Sequence, residues 1–352
     1  MKASPITIEP MQAKYNGAMK KKMGIVLIVI LLIISSSSFY VLQQYSFDIV
    51  EQTIQIASPE GQLTGILAMP KHASGKLGLV LFVHGDGPIN ASHNDGYKPL
   101  WERLAAQGYA SLSLNKRGID GSAGNWLDQS IDDRVEEARQ ALAWARTQPM
   151  IDHTRIGVWG ASQAGWVIPK LAGEEQLAFS ILVSPAINWL SQGQYHTREQ
   201  MKKDGYSEDD ITARLAYEQQ VNALLKNNAP YEEYVKTAHQ GDMMSQERWA
   251  FVSKNFLSDA AGDLAHFRSP VLLLLGEDDI HVDVKETEQV YRENAAPSLL
   301  TVAVFPNTEH SMLRTSTANS ELKATFISLF APRKITVSEY MNQIELFIKQ
   351  LP

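Results

Sequence analysis

Val158-Trp159-Gly160-Ala161-Ser162-Gln163-Ala164-Gly165 reads as the end of a buried strand turning sharply into a helix, with a serine on the corner. Arg155 to Trp159 is short, apolar and β-branched enough for a buried strand, and Gln163 to Leu171 is the helix expected after it. A serine on such a corner has its Oγ exposed, and the helix N-terminus behind it offers unpaired backbone N–H groups and the positive end of a dipole. So tight a corner needs small neighbours, which Gly160, Ala161, Ala164 and Gly165 supply. The usual pattern is G-x-S-x-G; here Ala164 stands two residues after the serine and the glycine only at the third. A plain strand-turn-helix with an incidental serine has the same appearance, so partner residues must be sought elsewhere.

Outward from this corner, strands and helices alternate. Val50, Ile54 and Ile56, a turn at Pro59-Glu60-Gly61, and Leu63, Ile66 and Ala68 predict an antiparallel hairpin. Leu77 to Val83 is continuously apolar, as a central strand buried on both faces is, and ends at His84-Gly85-Asp86-Gly87-Pro88. A helical stripe through Leu100, Trp101, Leu104 and Ala105 follows, then a strand from Tyr109 to Leu114 that ends at Asn115-Lys116-Arg117-Gly118. Ser130 and Asp133 open a helix whose inner stripe is Val135, Ala138, Ala141, Leu142 and Ala145.

Beyond the corner, Phe179 to Val183 is another buried strand, after which the alternation stops. Residues 188–268 predict amphipathic helices broken near Gly205, Pro230 and Gly241, with an aromatic load including Trp189, Tyr195, Tyr217, Tyr234 and Trp249. Most of these aromatics are expected to pack the insertion onto the body, and a few to line a pocket, because an insertion here covers the strand ends where α/β sheets bind ligands. The core resumes at Val271 to Leu275, which ends at Gly276-Glu277-Asp278-Asp279. A helix near 283–294 leads to a last strand, Leu299 to Phe305, which ends before His310, and helices at 320–330 and 337–350 close the chain. From residue 47 onward the sequence predicts one domain, 47–352, with a helical insertion.

The N-terminus differs. Residues 1–22 form a polar tail ending in Lys20-Lys21-Lys22, and Met23 to Ile34 is apolar apart from Gly24. The run reaches membrane-spanning length, 23–42, only if Ser35 to Ser38 lie in the bilayer, where serine hydroxyls bond carbonyls one turn back. An uncleaved signal anchor is favoured over a cleaved signal peptide, since no A-x-A site is evident. The lysines place the tail in the cytoplasm and the remainder outside it, whether anchored or released.

Composition narrows the chemistry. A net charge of −7 without a dense basic patch beyond the N-terminus argues against a nucleic-acid partner. With no cysteine, disulfides, thiolate catalysis and Cys-based metal sites are excluded. His93-Asn94-Asp95 is a common surface combination, and neither a metal nor a cofactor is assigned.

Ser162, the acids Asp278 and Asp279, and His310 thus follow successive strands in the order serine, acid, histidine. With its two glycine-bearing loops the chain resembles the α/β-hydrolase superfamily over nearly all of residues 47–350. Within it the chain looks most similar to bacterial esterases and acyl-peptidases related to dienelactone hydrolases. The resemblance implies a mostly parallel eight-stranded sheet flanked by helices, with the insertion as a lid. It makes residues 84–88 the oxyanion loop and Ser162 the nucleophile, and its spacing selects Asp279 over Asp278 and Glu277 as the acid. His310 would take and return the Ser162 proton, and Asp279 would orient its imidazole. The backbone N–H groups of Asp86 and Gln163 would hold the oxyanion; losing one such donor costs about 2.7 to 4 kcal/mol of barrier. His84 and Arg117 are read as loop-tying residues.

The expected activity is cleavage of a small-molecule acyl ester through an acyl-enzyme. A peptidase of aminopeptidase or acyl-peptidase type, or a thioesterase, shares the triad, and a non-catalytic ligand-binding member of the fold is the reading from outside enzymology. A dehalogenase is disfavoured, since that chemistry would use a carboxylate where Ser162 stands. The choice of acid is testable: D279N should lower kcat far more than D278N in steady-state ester hydrolysis, and the reverse order would reassign the acid.

Overall fold

The computed structural model describes residues 9–239 and 241–351. Helix α1 (Glu9–Tyr45) is followed by strands β1 (Ile49–Ser58), β2 (Gly61–Pro70) and β3 (Leu77–Val83), then α2 (Lys98–Ala106), β4 (Tyr109–Leu114), α3 (Ile131–Arg146) and β5 (Ile151–Ala161). Next come α4 (Ala164–Glu174), β6 (Ser180–Val183), α5 (Trp189–Lys203), α6 (Glu208–Lys226), α7 (Tyr231–Thr237) and α8 (Gln246–Asn255). The chain ends with β7 (Val271–Gly276), α9 (Val284–Asn294), β8 (Leu300–Phe305), α10 (Thr315–Ala318), α11 (Glu321–Phe330) and α12 (Ser338–Gln350).

The eight strands form one sheet in the order β1-β2-β4-β3-β5-β6-β7-β8. β2 pairs antiparallel with β1 and β4, and every other pair is parallel. Every residue of β3 is buried because the sheet is covered on both faces. Leu79, Leu81 and Val83 point into a core shared with Val135, Leu142, Val167 and Ile168 of α3 and α4. Val80 and Phe82 point to the opposite core, with Leu100 and Trp101 of α2 and Ile344 and Phe347 of α12. The expected capping box is present: Ser130 Oγ accepts from Asp133 N, and the Asp133 carboxylate accepts from Ser130 N.

Parallel register aligns the strand ends. Ala161 pairs with Val183, Val183 with Leu274, and Gly276 with Phe305. The loops after β5, β7 and β8 therefore leave the same edge of the sheet, which brings residues far apart in sequence to one place.

Boundaries differ in places from the sequence expectation. β5 starts at Ile151, because its first residue pairs with Leu77 ahead of a register shift. α4 begins at Ala164, not Gln163, and runs on to Glu174 through Pro169. The short α10 was not anticipated. The insertion breaks where expected, and it has its own small core, including Leu225, Tyr234, Trp249 and Phe251. The apolar N-terminal run continues unbroken through Ser35 to Ser38. From Lys21 to Tyr45 this helix has 25 residues and is apolar and long enough to cross a membrane, spanning roughly 37 Å at about 1.5 Å per residue. Of the expected polar tail, residues 1–8 lie outside the described part, whereas the rest from Glu9 is helical.

Close approach explains the glycines of the corner. A Cβ on Gly165 would lie 2.5 Å from Ala186 O and 2.7 Å from Ala186 N, backbone atoms that cannot turn aside. A G165V substitution should destabilise the domain by about 1–3 kcal/mol or more. Thermal melts followed by tryptophan fluorescence would register this, and an unshifted melt would show that the α4 packing is looser than described.

Candidate active site

The corner itself is strained. Ser162 has φ of +54°, in the left-handed region that costs a side-chain-bearing residue about 1–3 kcal/mol. Three backbone bonds hold it there: Ser162 N donates to Val183 O at 2.9 Å, and Ser162 O accepts from Gly165 N and Ala186 N, each at 2.9 Å. The two nearby glycines are obligatory. A Cβ on Gly160 would meet Ala164 Cβ at 2.6 Å, so residue 164 can carry a methyl group because residue 160 carries none.

The acid and the histidine meet. His310 Nδ1 lies 2.7 Å from Asp279 Oδ2, and the other oxygen, Oδ1, accepts from His281 N at 2.7 Å and Val282 N at 3.1 Å. Asp279 is buried, which by itself would raise its pKa, but the His310 bond and the two amides outweigh burial and hold the carboxyl below its ordinary value. Asp278 faces elsewhere and accepts from Thr315 Oγ1 at 2.5 Å. No hydrogen bond joins Ser162 Oγ to His310 among the described residues. With Nδ1 engaged by Asp279, Nε2 is the ring nitrogen left for a second partner.

The loop after β3 is held from below by two buried cations. Arg134 of α3 donates to His84 O and to the side-chain oxygen of Gln163. Lys116 Nζ donates to Gly85 O at 2.6 Å. In a trans peptide the C=O and N–H point opposite ways, so pulling Gly85 O down aims Asp86 N–H up, away from the cation. Neither Asp86 N nor Gln163 N donates to a protein acceptor among the described residues. Burial lowers the pKa of Arg134 to about 10, and that of Lys116 well below its ordinary value. His84 is buried, with Nε2 2.6 Å from Leu114 O and Nδ1 3.2 Å from the Tyr97 hydroxyl, and burial lowers its pKa to about 3. It braces its loop as a neutral ring. Arg117 ties loops too, bonding Ser58 Oγ at 3.0 Å and pairing with Glu60 at 2.7 Å and Glu137 at 2.5 Å.

Helices of the insertion touch both loops. Arg248 of α8 pairs with the Asp86 carboxylate at 2.9 Å; this bond overcomes burial and lowers that carboxyl's pKa. The Gln163 side chain joins the same carboxylate at 3.3 Å. On α5, Tyr195 Oη donates to Asp279 O at 3.0 Å, and His196 Nδ1 lies 3.0 Å from Ile280 O. The His196 ring stacks on His281 at 4.5 Å, and His281 in turn lies 4.8 Å from His310. Burial, and then the neighbouring His310, lower the His281 pKa to about 4. A cleft of about 540 Å³ opens here, lined by Tyr195, Asp279, His281, His310 and Thr315 among others.

Sequence reasoning named Ser162, Asp279, His310, Asp86 and Gln163 but missed Arg134, Lys116, Arg248 and the α5 contacts. Arg134 had a legible signal, since it lies on the same helical stripe as Ala138, Ala141 and Ala145. A cation on an apolar stripe has a buried partner or a cost to bear. For Arg248 no comparable signal exists, because its partner lies 162 residues away.

Comparison with known proteins agrees with this fold. Fold and relatives together define a serine hydrolase of the α/β-hydrolase class. A family profile described as serine aminopeptidase, S33, matches residues 75–316, well over half of the chain, and the chain belongs to that family. It is 23% identical over 301 residues, 80% of its length, to an uncharacterized peptidase, YuxL, of Bacillus subtilis, covering 38% of that protein. It is 34% identical over 130 residues to dipeptidyl aminopeptidase BIII of Pseudoxanthomonas mexicana, covering 32% of this chain and 18% of that one. The chain thus spans well under half the length of these curated relatives. In fold it is similar to an esterase of Pyrococcus furiosus, with TM-score 0.54 and 16% identity, covering 86% of this chain and 92% of that one. A hyperthermophilic esterase of Pyrobaculum calidifontis superposes with TM-score 0.53 at 16% identity, covering 98% of both chains.

The His84 ring has a pH consequence. Folded His84 stays neutral down to about pH 3, while an unfolded histidine titrates near 6.5. Between these values the unfolded state binds the extra proton, so this group's contribution is complete above pH 6.5 and erodes as pH falls. H84Q should therefore lose less melting temperature than the parent between pH 7 and 5; equal losses would place the acid sensitivity elsewhere.

Proposed function

We propose that this chain cleaves carboxylic esters through an acyl-enzyme, with Ser162 as nucleophile, His310 as base and Asp279 as orienting acid. The observation that carries this reading is the 2.7 Å pair between His310 Nδ1 and buried Asp279, on the same sheet edge as a serine at φ of +54°. Asp279 selects the tautomer whose Nε2 is free to accept the Ser162 proton. Ser162 Oγ attacks the acyl carbon, and the C=O electrons move onto oxygen, where Asp86 N–H and Gln163 N–H stabilise them. Collapse expels the alcohol, which takes the proton from His310; water then repeats the sequence and releases the acid. In this reading the Ser162–His310 hydrogen bond forms when substrate is bound, as catalytic bonds commonly tighten only in the complex.

The helices of residues 188–268 act in this reading as a lid, supported by the contacts of Arg248 with Asp86 and of α5 with the Asp279 loop. The same reading divides the chain into a basic cytoplasmic tail (1–22), a signal anchor (23–42) and an exported hydrolase domain (47–352). The 25-residue apolar helix supports the anchor, and removal of the segment as a signal peptide is the alternative.

A peptidase is the second reading, favoured by the family's description and by the named peptidase relatives. Against it, three of the carboxylates around the site are already engaged, Asp278 with Thr315, Glu309 with Ser311 N and Leu313 N, and Asp86 with Arg248, which leaves the binding of a substrate amine to Glu277 in the cleft lining. An aminopeptidase needs free acid to hold a substrate ammonium. A panel of acyl esters and thioesters of increasing chain length, run beside aminoacyl and dipeptidyl amides, separates the readings. Esters should be turned over with the higher kcat/KM, and S162A should lose at least about 10³-fold in kcat. Preference for the amides would install the peptidase, and an S162A protein with undiminished activity would remove the mechanism altogether.

A further inference from the structure

Helix α11 breaks the rule that surface helices turn their apolar stripe inward. It has no buried residue, and Leu322, Phe326, Leu329 and Phe330 are 85%, 63%, 55% and 43% exposed. Their spacing of i, i+4, i+7 and i+8 puts them on one face, and the Phe326 and Phe330 rings pack against each other at 4.8 Å rather than on the body. A contiguous exposed apolar face of this kind marks a contact surface.

What covers it is indicated by where α11 is fastened. Tyr45, the last residue of α1, donates its hydroxyl to Ser328 O at 3.0 Å and Leu329 O at 2.9 Å. These are carbonyls of the last turn of α11, which the helix cannot satisfy internally. The segment just beyond is tied to the same point: Lys334 Nζ lies 5.6 Å from the Tyr40 ring, and the Arg333 guanidinium stacks over Phe47 at 4.3 Å. The end of the apolar helix and the C-terminal end of α11 are thus built as one unit.

We propose that α11 is a second membrane contact, lying in the plane of the bilayer that α1 spans, with Phe326 and its neighbours among the acyl chains. This rests on the anchor reading above. An amphipathic helix in that position buries its apolar face at the headgroup boundary, and Lys323 on α11 and Lys334 just beyond it would supply cations for anionic headgroups. The hydrolase body would then be held at a fixed attitude on the membrane instead of swinging from a tether. Packing of α11 on a second copy of the chain is the competing occupant.

The absence of cysteine makes the test direct, because one introduced thiol is unique. Full-length F326C, L322C and I28C proteins, each carrying an environment-sensitive fluorophore, would be reconstituted into phosphatidylcholine–phosphatidylglycerol vesicles with and without doxyl-labelled lipid. Because α11 buries no residue, the labelled variants should melt like the parent. The expected result is blue-shifted emission at positions 322 and 326 that the doxyl lipid quenches, as at position 28. Water-like emission at 322 and 326 with quenching at 28 would overturn the surface and leave the anchor standing. A blue shift at 322 and 326 that doxyl lipid fails to quench would assign the face to a second copy. Quenching at 322 and 326 alone would keep the surface and remove the span; quenching nowhere would remove both.

Discussion

A serine held in a left-handed backbone conformation is the constraint around which this structure is arranged. Ser162 cannot relax, because its N–H and C=O are both committed to neighbouring strand-end residues and to the first turn of α4. That commitment requires α4 to lie almost in contact with the backbone at Ala186, which only Gly165 permits, and against β5, which Gly160 permits. The cost of the conformation is met by the surrounding packing, including residues such as Ala164 and Val167 that are wholly buried. A strained, partly accessible serine over a rigid base is what pre-organisation requires in an acyl-transfer site.

The loop facing that serine is held by a second device, a pair of buried cations beneath it. Arg134 and Lys116 would be expensive to bury alone, but each takes a backbone carbonyl of residues 84 and 85 as acceptor. The bond from Lys116 to Gly85 O also sets the direction in which the Asp86 N–H points. Arg134 also reaches the Gln163 side chain, so one guanidinium ties the loop after β3 to the residue whose N–H is the second proposed oxyanion donor. Stability and proposed chemistry draw on the same contacts here, which explains why a positive charge is tolerated on the apolar stripe of α3.

The insertion and the N-terminal helix act at the periphery. Arg248, Tyr195 and His196 join the insertion to the loops that carry Asp86 and Asp279, so its position and the geometry of the site are linked. Tyr45 links the apolar helix to α11 on the body. The hydrolase framework thus carries two attachments, one toward the site and one toward the proposed bilayer.

Local patterns determined much of this protein. The apolar run of β3, the capping box at Ser130 and the small residues around Ser162 each act within a few residues, and each was legible in the sequence. The order of serine, acid and histidine after successive strands was legible for the same reason, since parallel register carries strand ends to a common edge. The tertiary structure decided what depends on direction and distance across the chain. It joined His310 to Asp279 while turning Asp278 toward Thr315, although the two acids are adjacent and chemically alike. It also placed Arg248 on Asp86 and Tyr45 on α11, partners separated by 162 and more than 280 residues. One residue's difference in a loop reverses where a carboxylate points, and no local periodicity records which side chain will be waiting there.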